Sequence, residues 1–399
     1  MEGVVEPGFE NVGEVFGQFE GDAGDGGFAY AAWHKGHKVV DLWTGSAGGN
    51  PWTARTIPIW MSVTKAMTAL CIQMLADRGK LDVDAPVASY WPEFAAAGKR
   101  DITVADVMTH ASGVVGSPAI TELVSLEDGR GIDHADDILK HLADAEPVWP
   151  PGIQAGYHTL TYGWILGEVI RRVDGRTLGA FFRQEVALPL GAIDVGIGTP
   201  PEHQAGIATV HPMMWPDVMP AEARAYMEQV LETARDPATP AGASCLARDG
   251  VSVLDRLPEI FNNPPGRTAE LGGSNLVGSA ASVARIFAAM AEPDGLDGVR
   301  LASPESFAKF TEIRETRDDV VLRVPIARAL GYWRNKPLSI RPKAYGPNEE
   351  AFGHTGLGGQ IGFSDPVARV GAAYVRSHLT AFPAVPLLLN AALYQSLTG

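Results

Sequence analysis

Apolar residues at Phe9, Val12, Val15, Phe16 and Phe19 recur at the spacing of one helix face, and a glycine–aspartate stretch at 21–27 ends the pattern. This predicts a helix over 8–20. From Phe28 to Trp33 and from Lys38 to Trp43 the chain reads as two strands joined by a turn at Lys35-Gly36, a β-hairpin. A glycine-rich loop follows, then a short extended piece from Thr56 to Trp60. Beyond it Ala66, Met67, Ala69, Leu70, Ile72, Met74 and Leu75 leave almost no polar face, which predicts a buried helix stopped at Gly79.

After Leu81 the pattern changes to short helices and proline-punctuated loops. Ile102–His110, Asp136–Ala145 and Leu160–Val173 carry helical spacing, and Trp149-Pro150-Pro151-Gly152 stiffens a loop before Tyr157. Between 200 and 265 prolines are frequent, and the one pattern that stands out is an amphipathic helix near 221–235. Gly272-Gly273-Ser274-Asn275 precedes a helix from Ala280 to Ala291. Leu330–Trp333, Phe352–Phe363 and Val370–Arg376 then return to strand character, and Leu387–Leu397 closes the chain as a helix. The layout is α/β (α+β). Residues 1–80 and 268–399 are expected to form one lobe around a shared antiparallel sheet flanked by helices. Residues 81–267 are expected to form an inserted, mainly helical lobe.

Composition narrows the function. With 399 residues, 46% hydrophobic and 20% charged, the chain has ample material for a globular core. A net charge of −15 argues against nucleic acid, whose binders need a basic face, and against an anionic membrane surface. Cys71 lies within the apolar helix and far from Cys245, so free buried thiols are expected rather than a disulfide. The start of the chain is acidic and holds no long apolar run, which leads to the expectation of a cytoplasmic protein.

The candidate chemistry begins at Ser62-Val63-Thr64-Lys65. Ser62 falls at the start of the buried helix, near the positive end of its dipole, and Lys65 follows one turn later on the same face. A serine hydroxyl becomes a nucleophile when something takes its proton, and a desolvated lysine with a lowered pKa can do so. A second copy, Ser306-Phe307-Ala308-Lys309, reads as plain structure. Ser303-Pro304-Glu305 supplies an N-cap, an N1 proline and a first-turn acid for an ordinary surface helix.

Three further stretches follow in order: Met108-Thr109-His110-Ala111-Ser112-Gly113, Gly156-Tyr157-His158-Thr159 and Gly353-His354-Thr355-Gly356-Leu357-Gly358-Gly359. With Ser62-x-x-Lys65, the set resembles the serine β-lactamase and penicillin-binding-protein family, in its class C-like branch and closest to family VIII carboxylesterases. The resemblance runs from about residue 10 to 395. It implies a β-lactamase/transpeptidase-like fold, an active site in the cleft between the lobes, and no metal or cofactor. It further implies an acyl-enzyme on Ser62, with Lys65 and Tyr157 as acid–base pair. The backbone amides of Ser62 and Leu357 would form the oxyanion hole, and Thr159, His354, Thr355 and Gly356 would contact the substrate.

Two departures bear on the substrate. Typical class C β-lactamases carry asparagine where this chain has Thr159, and many members carry lysine where it has His354. Both changes weaken the grip on a carboxylated amide and are tolerable for a neutral ester, with short acyl chains favoured by the family likeness. The alternatives are a β-lactamase, a D-amino-acid peptidase, an acyltransferase to an alcohol, and a catalytically silent binding protein. Tyr30 and Tyr162 read as core aromatics and His110 as a structural helix-end residue. His34 and His37 flank a hairpin turn without metal-ligand context. Ser274 lacks the following glycine that a nucleophile elbow needs.

Overall fold

Both ends of the chain meet in one antiparallel sheet. The computed structural model describes residues 1–199, 204, 206–217, 219–338 and 343–398. The strands are β1 (Glu2–Val5), β2 (Gly27–His34), β3 (His37–Ala47), β4 (Trp333–Arg334), β5 (Phe352–Gly356), β6 (Gln360–Asp365) and β7 (Val370–Arg376). They lie in the order β1-β3-β2-β7-β6-β5-β4, with Asn50–Pro51 pairing on the end of β3. The helices that matter here are α1 (Glu10–Gly17), α2 (Thr64–Asp77), α3 (Thr161–Asp174), α4 (Ala221–Arg235), α5 (Pro240–Ser244), α6 (Ala280–Ala291), α7 (Pro304–Thr311) and α8 (Ala384–Ser396). This is the α/β architecture around an antiparallel sheet that the sequence pattern predicts.

Strand alternation divides the core. Phe28, Tyr30 and Ala32 of β2 pack with Val12 and Phe16 of α1 and Leu389 and Leu393 of α8. Ala29 and Ala31 point the other way and join a second cluster with Phe287 of α6 and the apolar side chains of α2. Small residues line that second face because α6 lies close on it. A Cβ at Gly371 would sit 2.1 Å from the backbone nitrogen of Ala288, so only glycine fits. The β2–β3 hairpin closes through Lys35 and Gly36, both at positive φ, with His34 paired to His37.

Every residue of α2 from Thr64 to Leu75 is buried, the polar Thr64, Lys65, Thr68 and Gln73 included, in keeping with a helix that is apolar on nearly all sides. The helix ends before Gly79, which takes a positive φ of 68°. The two cysteines are free and buried. Among the described residues no helix is long and apolar enough to cross a membrane.

Some boundaries differ from the sequence pattern for local reasons. The helix expected over 102–110 runs only from Val104 to Met108. Thr103 caps its start by accepting the Asp106 N–H, and His110 turns left-handed (φ 66°) while the Ala111 N–H returns to the Asp106 carbonyl. Leu330 lies in a turn closed between Ala329 and Tyr332, so strand β4 starts only at Trp333. The run 352–363 divides into β5 and β6 around the three-residue turn Leu357-Gly358-Gly359, with Gly356 opposite Gln360.

Candidate active site

The start of α2 is held from three sides. Ile59–Trp60 pairs with Leu276–Val277, and the Trp60 indole N–H donates to the Gly278 carbonyl at 2.8 Å. The Thr64 hydroxyl donates to the Met61 carbonyl at 2.7 Å and accepts the Leu276 N–H at 3.0 Å. Gln360, the first residue of β6, accepts the Met61 N–H at 2.6 Å and donates to the Ile59 carbonyl at 3.0 Å. Ser62 therefore sits half-buried in the turn that enters α2, and its carbonyl accepts the Lys65 N–H at 3.0 Å. Gln360 also faces Gly356 across the hairpin, which ties the end of β5 to the same turn.

The Lys65 side chain is completely enclosed. Its Nζ donates to the carbonyls of Thr159 (2.9 Å) and Gly273 (2.8 Å) and lies 4.6 Å from the centre of the Tyr157 ring. Burial disfavours the ammonium and pulls the Lys65 pKa down from 10.5 to about 7, with the nearby Cys245 opposing the shift. Burial also pushes the Cys245 thiol up to about 11. The lysine is thus poised to give and take a proton near neutral pH.

Tyr157 is fixed through its backbone. Its N–H donates to Asp319 Oδ1 at 3.2 Å, and its carbonyl accepts the Ser244 hydroxyl at 2.6 Å. Asp319 also accepts the N–H groups of Val321 (2.7 Å) and Leu322 (2.6 Å) and pairs with Arg328, both charged groups being buried. Around the Tyr157 ring stand His110 (4.7 Å between ring centres), Trp333 (6.0 Å) and His354 (6.1 Å). Ala241, Val321, Val324 and Ile326 complete an apolar cluster with it, and Tyr226 of α4 donates to the Leu322 carbonyl at 2.8 Å.

Two of these rings' neighbours, His110 and His158, are held neutral. Burial depresses His158 to about 3 and His110 well below its ordinary value. His158 lies 2.7 Å by Nδ1 from the Gly156 carbonyl, which can only accept, so its proton is on Nδ1. Its Nε2 then accepts the Ser112 hydroxyl at 2.6 Å. His110 accepts the His158 N–H at Nδ1 (3.1 Å), which leaves its proton on Nε2.

The remaining candidates fall as follows. Thr159 is half-exposed, with its Oγ1 2.8 Å from Ser244 Oγ and 3.5 Å from Cys245 Sγ. His354 is 1% exposed, lies tilted against Trp333 with ring centres 4.2 Å apart, and contacts the Thr355 carbonyl through Nδ1 at 2.6 Å. Thr355, Gly356 and Leu357 form a half-exposed run at the end of β5. Lys65, Tyr157, Thr159 and His354 thus come together from distant parts of the chain. Ser306 does not join them. It lies in α7, its N–H capped by Ser303, and Lys309 of the same copy faces Asp84 at 3.5 Å.

The sequence pattern points to none of Gln360, Asp319 and Ser244, and to Cys245 only as a free thiol. Thr239-Pro240 is a legible helix start that could have located α5, since Thr239 caps it and Pro240 takes a first-turn position. Nothing local marks the partners of these four residues. Among the described residues no three His, Cys, Asp or Glu side chains converge to hold a metal ion.

Against known proteins, the beta-lactamase family pattern matches residues 14–393. The esterase/beta-lactamase LipL of Mycobacterium tuberculosis is 33% identical over 396 residues, covering 94% of this chain and 83% of that protein. A family VIII carboxylesterase of known structure is 32% identical, with a TM-score of 0.82 and 99% of each chain covered. A penicillin-binding-protein homologue from Caulobacter crescentus is 33% identical, again with a TM-score of 0.82 and 99% of each chain covered.

Proposed function

The chain belongs to the beta-lactamase family, and on that premise we propose that it is a serine hydrolase that cleaves small carboxylic esters through an acyl-enzyme on Ser62. The observation that carries this reading is Lys65: a fully enclosed lysine, pulled to about pKa 7, against the ring of Tyr157 and one helical turn after a half-exposed serine. Such perturbed titratable groups beside a nucleophile favour a catalytic site over a binding cleft. Esterases among the similar proteins favour the same class of substrate.

In this reading the Ser62 oxygen attacks the ester carbonyl carbon while the Lys65–Tyr157 pair takes its proton. Backbone N–H groups of Ser62 and Leu357 hold the developing oxyanion, a stabilisation available only in the transition state. Collapse breaks the carbon–oxygen bond to the alcohol, and the pair returns the proton to the departing alkoxide. Water, giving its proton to the same pair, then attacks the acyl carbon, and as the bond to Ser62 breaks the pair passes that proton to the serine oxygen and the acid leaves. The cleft is assigned between residues 81–267 on one side and 1–80 with 268–399 on the other. The family likeness favours a short acyl chain.

Labelling by a fluorophosphonate probe tests the assignment. Wild type should react covalently and Ser62→Ala should not. Equal labelling of the two proteins would overturn it.

A further inference from the structure

We propose that Ser244 is a positioning and specificity-determining residue: its hydroxyl sets the donor state of the Thr159 side chain and thereby excludes acyl groups that present a carbonyl there. This rests on the ester-hydrolase reading above and deepens it.

The Ser244 hydroxyl has one proton and two acceptor sites. Its proton goes to the Tyr157 carbonyl at 2.6 Å, since a carbonyl cannot donate in return. One lone pair takes the Thr159 N–H at 3.0 Å. The 2.8 Å contact between the two hydroxyl oxygens can then be satisfied in one direction only, with Thr159 donating to Ser244. The Thr159 proton is spent inward. Cys245 Sγ stands 3.5 Å from Thr159 Oγ1, so with the Thr159 proton spent its thiol can donate there and complete a one-way chain from Cys245 through Thr159 and Ser244 to Tyr157.

Ser244 is buried in α5, so water does not compete for these bonds. Thr159 stays half-exposed, with its own carbonyl 2.9 Å from Lys65 Nζ. The side chain therefore offers an incoming substrate an acceptor and a methyl group but no donor. An acyl group carrying its own carbonyl against Thr159 finds that acceptor unmatched, whereas a simple alkanoyl group has nothing to lose. The same serine grips both ends of the Tyr157–Thr159 segment, so it also holds the tyrosine and the lysine's carbonyl partner in register.

Two p-nitrophenyl esters with the same leaving group test this: the butyrate, and the ester of N-acetylglycine, which adds one amide. Wild type should prefer the butyrate. Ser244→Ala removes the acceptor and frees the Thr159 proton. The ratio of kcat/KM for N-acetylglycyl over butyryl should then rise about tenfold, the worth of one hydrogen bond, while kcat on butyrate falls. Ser244→Cys, a near-isosteric weak acceptor, should give an intermediate ratio and carries the test if the alanine variant does not fold. An unchanged ratio in the folded variants, or an equal loss on both esters, overturns the proposal. Fluorophosphonate labelling of the wild type reports on the ester-hydrolase reading alone. Its absence would overturn that reading, and this inference with it.

Discussion

The Nζ of Lys65 lies 4.6 Å from the centre of the Tyr157 ring, while its hydrogen bonds go to the carbonyls of Thr159 and Gly273. The lysine is thus bonded to backbone and faces the tyrosine through space. Lys65→Ala and Tyr157→Phe should each lower kcat/KM on a short ester by about 10²–10⁴-fold. On the proposed shared proton path, the double variant should be little worse than the worse single one. Losses that multiply cleanly would separate them.

The same pair sets a pH dependence. With Lys65 pulled by burial to about 7, the free amine, which the proposed mechanism uses to accept the serine proton, is gained as pH rises through that value. Ester kcat/KM should therefore climb across pH 6–8 and reach a plateau above. A profile flat down to pH 5 would remove Lys65 from the rate-determining proton transfer.

Folding stability carries an independent signature of that lysine. Its pKa is lower folded (about 7) than unfolded (near 10.5), so between those values the unfolded chain binds the extra proton. Stability contributed through Lys65 therefore rises with pH in that window and is flat outside it. Wild type should gain on Lys65→Met by up to about 1.4 kcal/mol per pH unit there. Urea unfolding of both proteins at pH 7 and pH 9 measures the difference, and parallel changes would contradict an enclosed, depressed lysine.

The two Ser-x-x-Lys copies give a direct contrast. Ser62→Ala should abolish ester hydrolysis. Ser306→Ala should leave it nearly intact, since Ser306 sits in the surface helix α7 with Lys309 turned to Asp84. Full activity in Ser62→Ala would end the assignment.

These contrasts were legible in the sequence because they are local. A serine before an all-apolar helix differs from one after Ser-Pro-Glu whatever the rest of the chain does, and the β2–β3 hairpin announces itself through Lys35-Gly36. What holds the site together was not legible. Gln360 reaches Met61 across 299 positions, Asp319 reaches Tyr157 across 162, and Ser244 reaches it across 87. Their side chains carry no sign of their partners, because a buried carboxylate, amide or hydroxyl can be satisfied by any backbone group the fold delivers. Ser244 also lies in the proline-rich 200–265 stretch, where periodicity is weakest.

Asp319 illustrates what such an unannounced residue is worth. It pairs with buried Arg328 and accepts three backbone N–H groups, that of Tyr157 among them. Asp319→Ala would leave a buried cation uncompensated, a change that typically costs about 3–5 kcal/mol. Urea denaturation should show that loss, together with reduced kcat from a loosened Tyr157. A cost below about 1 kcal/mol would mean that water or a shifted loop replaces the carboxylate.

The last prediction separates ester from lactam. A site built to hydrogen-bond a group discriminates far more sharply than one that merely encloses it. The resemblance to class C enzymes puts an amide-gripping asparagine and a carboxylate-binding lysine at the positions of Thr159 and His354. Here the Thr159 hydroxyl is engaged with Ser244, and His354 is buried on Trp333. Thr159 has no side-chain amide and His354 is enclosed away from an incoming carboxylate, whereas a neutral ester asks for neither partner. We expect kcat/KM for p-nitrophenyl butyrate to exceed that for nitrocefin by at least about 10²-fold, a gap near 2.7 kcal/mol. His354→Lys should not close it by itself, because the new ammonium would have to enter a space that is 1% exposed. Steady-state rates on both substrates decide the matter, and comparable wild-type efficiencies would favour a β-lactamase over an esterase.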